Sequence, residues 1–133
     1  MVNKIRIATN AAAPALGTYS QGIRTGDLVF VTAQTGRDPA TGKLEEGLEA
    51  QTRRMLSNID AILNAAGCTA GDVVKVTLLL KDIKDFKAVD VIYAEWLPGL
   101  GVTAWPTRTA FQAAALPAGA LVMLDVIAAF PVE

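Results

Sequence analysis

Arg108 is the residue in this sequence whose setting most calls for a chemical explanation. It follows Trp105-Pro106-Thr107 and enters the apolar stretch Thr109-Ala110-Phe111-Gln112-Ala113-Ala114-Ala115-Leu116, where a guanidinium is costly to bury unless paired or aimed at an anion. Its fork matches a carboxylate in geometry and charge, so Arg108 reads either as a carboxylate clamp or as half of an ion pair at a strand start. Tyr19, in a Gly-rich segment, and Thr32, at the end of a β-branched run, are suited to presenting hydroxyls from strand ends. Asp125 sits in a largely apolar strand, where a carboxylate needs a partner or a raised pKa. It is a candidate acid, or one side of an ion pair within the fold or across an interface.

The residues that are missing narrow the chemistry further. The chain contains no histidine, which removes the usual general base, the usual metal ligand and every Ser-His or Cys-His nucleophilic arrangement. With one cysteine, Cys68, neither an intramolecular disulfide nor a structural zinc site is available, and nothing nearby would activate the thiol. Gly42-Lys43 lacks the remainder of a phosphate-binding loop, and Gly17, Gly22 and Gly26 do not match a dinucleotide fingerprint. No metal or cofactor is called for. Twelve Lys and Arg against thirteen acids give a net charge of -1, so no global field draws in nucleic acid or an anionic membrane.

These residues need elements to carry them. A length of 133 residues suits one domain, residues 1–133, while 52% hydrophobic and only 19% charged residues point to apolar surface that a small domain cannot hide alone. The opening Met1-Val2-Asn3-Lys4-Ile5-Arg6-Ile7 lacks a signal-peptide core, and no apolar run reaches membrane-span length. The expectation is a soluble cytoplasmic protein.

Residues 11–22 read as a Gly- and Pro-rich loop. Gly26-Asp27 is a hairpin turn between Ile23-Arg24 and the strand Leu28 to Thr32. Residues 37–43 read as a surface loop. Leu48, Met55, Ile59, Ile62 and Ala66 recur at helical spacing, and Gly67 is suited to a left-handed cap. Val73 to Leu80 is a second strand. Asp85 is placed to cap a second helix, in which Phe86, Val89, Tyr93 and Trp96 share a face before Pro98-Gly99. Strands around Thr107 to Ala113 and Leu121 to Phe130 complete a ββαβαββ order. The simplest α/β (α+β) architecture is one mixed sheet with both helices on one face. Val122, Leu124, Val126 and Ala128 alternate with Leu121, Met123, Asp125 and Ile127, so the last strand is apolar on both sides and favours an oligomer formed through the sheet.

The ordered set Leu16 to Gly22, Val31-Thr32-Ala33-Gln34, Gly67 to Lys75, Lys81-Asp82, Asp85-Phe86, Tyr93 and Trp105 to Thr109 resembles the RidA family, also called YjgF or L-PSP, in one register over nearly the whole chain. The resemblance implies a chorismate-mutase-like fold, a homotrimer with sheets around a central barrel, and three intersubunit clefts. It also implies hydrolysis of enamines and imines such as 2-aminoacrylate to the 2-oxo acid and ammonia. Arg108 falls on the family's carboxylate-binding arginine and Tyr19 on its cleft tyrosine. Thr32 replaces a serine and Ala33 a glycine; Asp90 stands where many members have asparagine, Ala110 where many have cysteine, and Met123 where many have a water-activating glutamate.

Taken with these residues, the resemblance implies a site in which Arg108 clamps a carboxylate, Tyr19 and Thr32 hydrogen-bond substrate or water, and Asp90 or Asp125 assists proton transfer. Ala33, Asp90, Thr109, Ala110 and Met123 complete the substrate wall. The competing reading is a noncatalytic trimer that binds a small carboxylate metabolite in the same clefts, motivated by Met123 and Ala110. A ribonuclease reading is opposed by the balanced charge and by the lack of a basic stripe interleaved with stacking aromatics.

Overall fold

The computed structural model describes residues 1–99 and 104–131. Strands form where β-branched and aromatic residues accumulate: β1 (Ile5–Ile7), β2 (Gly22–Thr25), β3 (Leu28–Gln34), β4 (Val73–Leu80), β5 (Thr107–Gln112) and β6 (Val122–Ala129). They make one six-stranded sheet in the order β1-β2-β3-β6-β4-β5, antiparallel throughout except for β4 beside β5. The mixed sheet is as expected, but it has one strand more than the sequence pattern indicated. Three residues, of which only Ile7 is buried, carry too little pattern to announce β1, and its pairing with Ile23 and Arg24 supplies what the sequence lacks.

Helix α1 (Leu48–Ala65) lays Met55, Leu56, Ile59, Ile62 and Leu63 on the sheet, each worth about 1.5–3 kcal/mol when fully buried. It ends as the sequence suggested. Gly67 has φ +83°, and the N–H groups of Gly67 and Cys68 donate to the carbonyls of Asn64 and Leu63 at 3.0 and 2.8 Å, which is a Schellman closure. Cys68 is buried beneath it, and burial pushes its thiol pKa up, in keeping with an inert packing role.

Helix α2 (Phe86–Trp96) buries Val89, Ile92 and Tyr93. Its start corrects the sequence reading: Asp85 has helical backbone and makes no side-chain cap. Asp82 caps instead, accepting from the Lys84 N–H at 2.9 Å at the head of a 3₁₀ turn that runs into α2. Asp85 directly precedes the periodic apolar face, but the intervening turn moves the free N–H groups three residues earlier.

Both helices belong to one core, with Val29, Val31, Val76, Leu78, Leu80, Val122, Leu124 and Val126 on the sheet face beneath them. The alternate residues Phe30, Thr77, Leu79, Met123, Asp125 and Ile127 are exposed or half-buried on the opposite face, which no element among the described residues covers.

Candidate active site

Arg108 lies on the edge strand β5, level with Val76 of β4. Neighbours in register share a face of the sheet, so Arg108 points to the helix side. There the Phe86 and Tyr93 rings lie 4.9 and 5.3 Å from its guanidinium carbon, within cation–π range. Its Nη1 donates to Asp90 Oδ1 at 2.5 Å. Phe86, Asp90 and Tyr93 are spaced i, i+4, i+7 on α2 and form a stripe facing this arginine. Among the described residues Arg108 makes no other side-chain hydrogen bond, so most of its fork remains unused. Asp90, Tyr93, Trp105 and Arg108 line a hollow of about 430 Å³. Burial, more than any charge, pushes the Tyr93 phenol pKa up. The nearby Arg108 opposes that shift and Asp90 adds to it.

Tyr19, Ala33 and Met123 meet elsewhere, in a cavity of about 640 Å³. The loop that carries Tyr19 is held by the buried Gln21, whose amide accepts from the Thr9 N–H at 2.7 Å and donates to the carbonyls of Thr9 and Ala13 at 3.1 and 2.8 Å. Tyr19 Oη accepts from the Leu16 N–H at 3.2 Å, which leaves its own proton available to donate outward.

The strand beside Tyr19 is irregular. Val31 pairs with Val126 and Gln34 with Leu124, so one extra residue is accommodated at Thr32-Ala33 in a β-bulge. The bulge splays the two side chains: Ala33 lines the Tyr19 cavity, while Thr32 lines a separate hollow of about 410 Å³ with Asp125, Lys75 and Thr77. Met123 and Asp125, alternate residues on the open face of β6, thus belong to neighbouring hollows. Thr109 stands level with Thr77, and Ala110, two residues after Arg108, packs at the edge of the core.

The sequence-derived site residues therefore fall into three groups within one chain. Arg108 and Asp90 are together on the helix side; Tyr19, Ala33 and Met123 are together; Thr32 and Asp125 are together. Arg37 and Lys43 also line the Tyr19 cavity. Read from sequence as part of a surface loop, they carried no signal beyond two cations flanking a turn. Tyr93 and Phe86 were visible as one helix face but not as the floor under Arg108.

These features define an α+β protein with one mixed sheet, two helices on one side, and hydroxyls and guanidinium groups at histidine-free cavities. The family described as Endoribonuclease L-PSP matches residues 9–130. The chain is 42% identical over 125 residues to a goat (Capra hircus) 2-iminobutanoate/2-iminopropanoate deaminase, covering 92% of this chain and 88% of that protein. In structure it is similar to RidA from the Antarctic bacterium Psychrobacter sp. PAMC 21119, with TM-score 0.89, 38% identity and coverage of 95% and 99% of the two chains. It is also similar to E. coli TdcF with bound serine, with TM-score 0.89, 33% identity and coverage of 96% and 99%. The chain belongs to the RidA/YjgF/L-PSP family, as its motifs implied.

Proposed function

We propose that this protein is an imine/enamine deaminase that converts 2-imino acids and 2-aminoacrylate-type enamines to 2-oxo acids and ammonia. The observation that carries the reading is Arg108: a guanidinium on an edge strand with one side-chain hydrogen bond, to Asp90, and the rest of its fork unused beside a hollow that it lines. Family membership and the goat deaminase relative support it.

In this reading Arg108 takes the substrate carboxylate and so fixes the reacting carbon. Tyr19 donates a hydrogen bond to substrate or water, Thr32 offers a second hydroxyl, and Ala33 and Met123 form an unreactive wall. An enamine is first protonated on carbon to give the iminium. Water adds its oxygen to C2 of the iminium as the C=N π pair moves to nitrogen. One proton passes from the added water to the amine, the C–N bond breaks to release ammonia as the C=O bond forms, and the remaining hydroxyl proton is taken up by that ammonia to give ammonium. The iminium is already electrophilic, so holding it beside a water supplies much of the needed acceleration and no histidine is required. Asp90 is the acid next to the clamp; Asp125 serves in its place only if the reacting water sits in the Thr32 hollow.

Arg108 points to the helix side of β5, whereas Met123, which lines the Tyr19 cavity, is on the open side of β6, and β4 separates these two strands. A complete site then consists of Arg108 from one copy and the cavity of the next, in a homotrimer. Imines generated by an amino-acid oxidase and followed by ammonia release test the reading. Arg108→Ala is expected to lower kcat/KM at least tenfold, as loss of a charge-assisted bidentate contact of about 1.5–3 kcal/mol predicts. Wild-type rates in Arg108→Ala would overturn it. Met123 favours a second reading, a trimer that binds a small carboxylate without turning it over, because among the described residues no Asp or Glu lines the Tyr19 cavity. Ligand-induced thermal stabilisation without ammonia release would select that reading.

A further inference from the structure

The Tyr19 cavity carries charge that imine hydrolysis itself does not use. Arg37 and Lys43 line it, and among the described residues no carboxylate does. The two cations flank a turn that is fixed rather than loose. Arg37 and Leu44 pair as an antiparallel bridge, the Asp38 N–H donates to the Lys43 carbonyl at 2.8 Å, and the Gly42 N–H to the Asp38 carbonyl at 2.8 Å. From beneath, the fully buried Asn58 donates its amide to the carbonyls of Arg37 and Thr35 at 2.8 and 3.3 Å. The Arg37 side chain is anchored as well: Nη2 donates to the Pro14 carbonyl at 2.9 Å, on the loop that leads to Tyr19.

The acids of the same segment are drawn to a different arginine. Asp38 lies 3.9 Å and Glu45 4.0 Å from Arg54 on α1, and Asp38 also accepts from the Ala40 N–H at 2.8 Å. Arg37 and Lys43 have no carboxylate within 4.0 Å among the described residues. Charge is thus sorted across the turn, acids toward the helix and cations toward the cavity. A positioned guanidinium with unused donors beside an acid-free, partly apolar cavity is suited to a carboxylate at the end of a short apolar stem.

Resting on the deaminase reading, we propose that Arg37, assisted by Lys43, binds a second carboxylate, so that the preferred substrates are imines of acidic amino acids. Arg108 holds the carboxylate next to the reacting carbon, and Arg37 holds the distal one. A cavity of about 640 Å³ has room for the longer chain.

Glutamate and glutamine give imines of the same shape that differ by one negative charge, and comparing their hydrolysis isolates the proposed contact. The wild-type protein is expected to show about tenfold higher kcat/KM for the glutamate imine at low salt, the effect of one charge-assisted hydrogen bond. Added salt should reduce the ratio as the partly exposed cations are screened. Arg37→Gln keeps an N–H for the Pro14 carbonyl but loses the charge, and should bring the two rates together; Lys43→Gln should do so in part. Equal wild-type rates, or an Arg37→Gln variant that lowers both rates by one factor, would overturn the inference and leave the deaminase reading standing. If neither imine is hydrolysed, that reading falls, and calorimetric binding of 2-oxoglutarate against 2-oxoisocaproate decides the remainder. Arg37-dependent preference for 2-oxoglutarate supports the anion site, and no preference refutes it.

Discussion

Asp90 competes for Arg108 with any carboxylate that Arg108 is to hold. With side chains 27% and 43% exposed, the pair is partly solvated, and an ion pair of that kind is worth roughly 0.2–1 kcal/mol. A substrate carboxylate approaches a guanidinium whose charge is already partly answered. Asp90→Asn keeps an acceptor for Nη1 and removes the competing charge, so KM for a monocarboxylic imine should fall by about 1.4- to fivefold, the kinetic equivalent of that range. Steady-state ammonia release measures it, and an unchanged or raised KM contradicts the account. A pairing partner for Arg108 could be anticipated from sequence because an arginine in an apolar strand is conspicuous. Arg37 could not, because a cation in a polar loop is ordinary until its neighbours are known. The same is true of Gln21, Gln51 and Asn58: their burial is decided by loops folding over them, which no local spacing encodes.

The elements around the cavity are held at a small number of close approaches. Gly36 follows β3 where a Cβ would stand 2.4 Å from both Cα and the carbonyl oxygen of Gln51 in α1. Gln51 in turn accepts from the Leu121 N–H at 2.9 Å and donates to the Glu45 carbonyl at 3.0 Å. Gly36→Ala must push α1 away from β3 and disturb both contacts, so it should cost about 2–4 kcal/mol in urea unfolding; a loss below 1 kcal/mol would show that the approach relaxes freely.

The contact between the two helices makes a second prediction. Trp96 Nε1 donates to Asp60 Oδ1 at 2.8 Å, while burial pushes the Asp60 carboxyl pKa up and this hydrogen bond only partly pulls it back. A raised folded pKa favours the protonated form, so that stabilisation is complete below the ordinary value of 3.8 and is lost as pH rises through the folded value. Asp60→Asn keeps an acceptor for Trp96 without the buried charge. It should raise stability at neutral pH by about 1 kcal/mol or less, an advantage that fades as the pH is lowered through the same window. Thermal melts from pH 7 to pH 3 check the direction. At this scale much was legible: α1, β4, α2 and the Gly67 cap follow from periodicity and one glycine. The bulge at Thr32-Ala33 was not, since it exists only relative to the register of β6, ninety residues away in sequence.

The whole molecule presents one covered sheet face and one open face on which Phe30, Leu79, Met123 and Ile127 surround Thr77 and Asp125. The surplus of apolar residues in the composition collects there. Arg108 faces the covered side at one edge of the sheet, while Met123 at the Tyr19 cavity faces the open side, and the proposed site joins the two from neighbouring copies in a head-to-tail ring. This arrangement makes a quantitative prediction. Arg108→Ala leaves every cavity intact but no clamp; Ala33→Trp leaves every clamp intact but fills the cavity. Each protein alone should be inactive. After the two are unfolded together in equal amounts and refolded, random assembly into trimers gives mixed rings in about three-quarters of cases, and each has one interface joining an intact Arg108 to an intact cavity. Ammonia release should therefore return to about one quarter of the wild-type rate per chain. Activity that stays at background would show that clamp and cavity act within one chain or not together at all, and the shared-site account would fall even if each single variant behaved as expected.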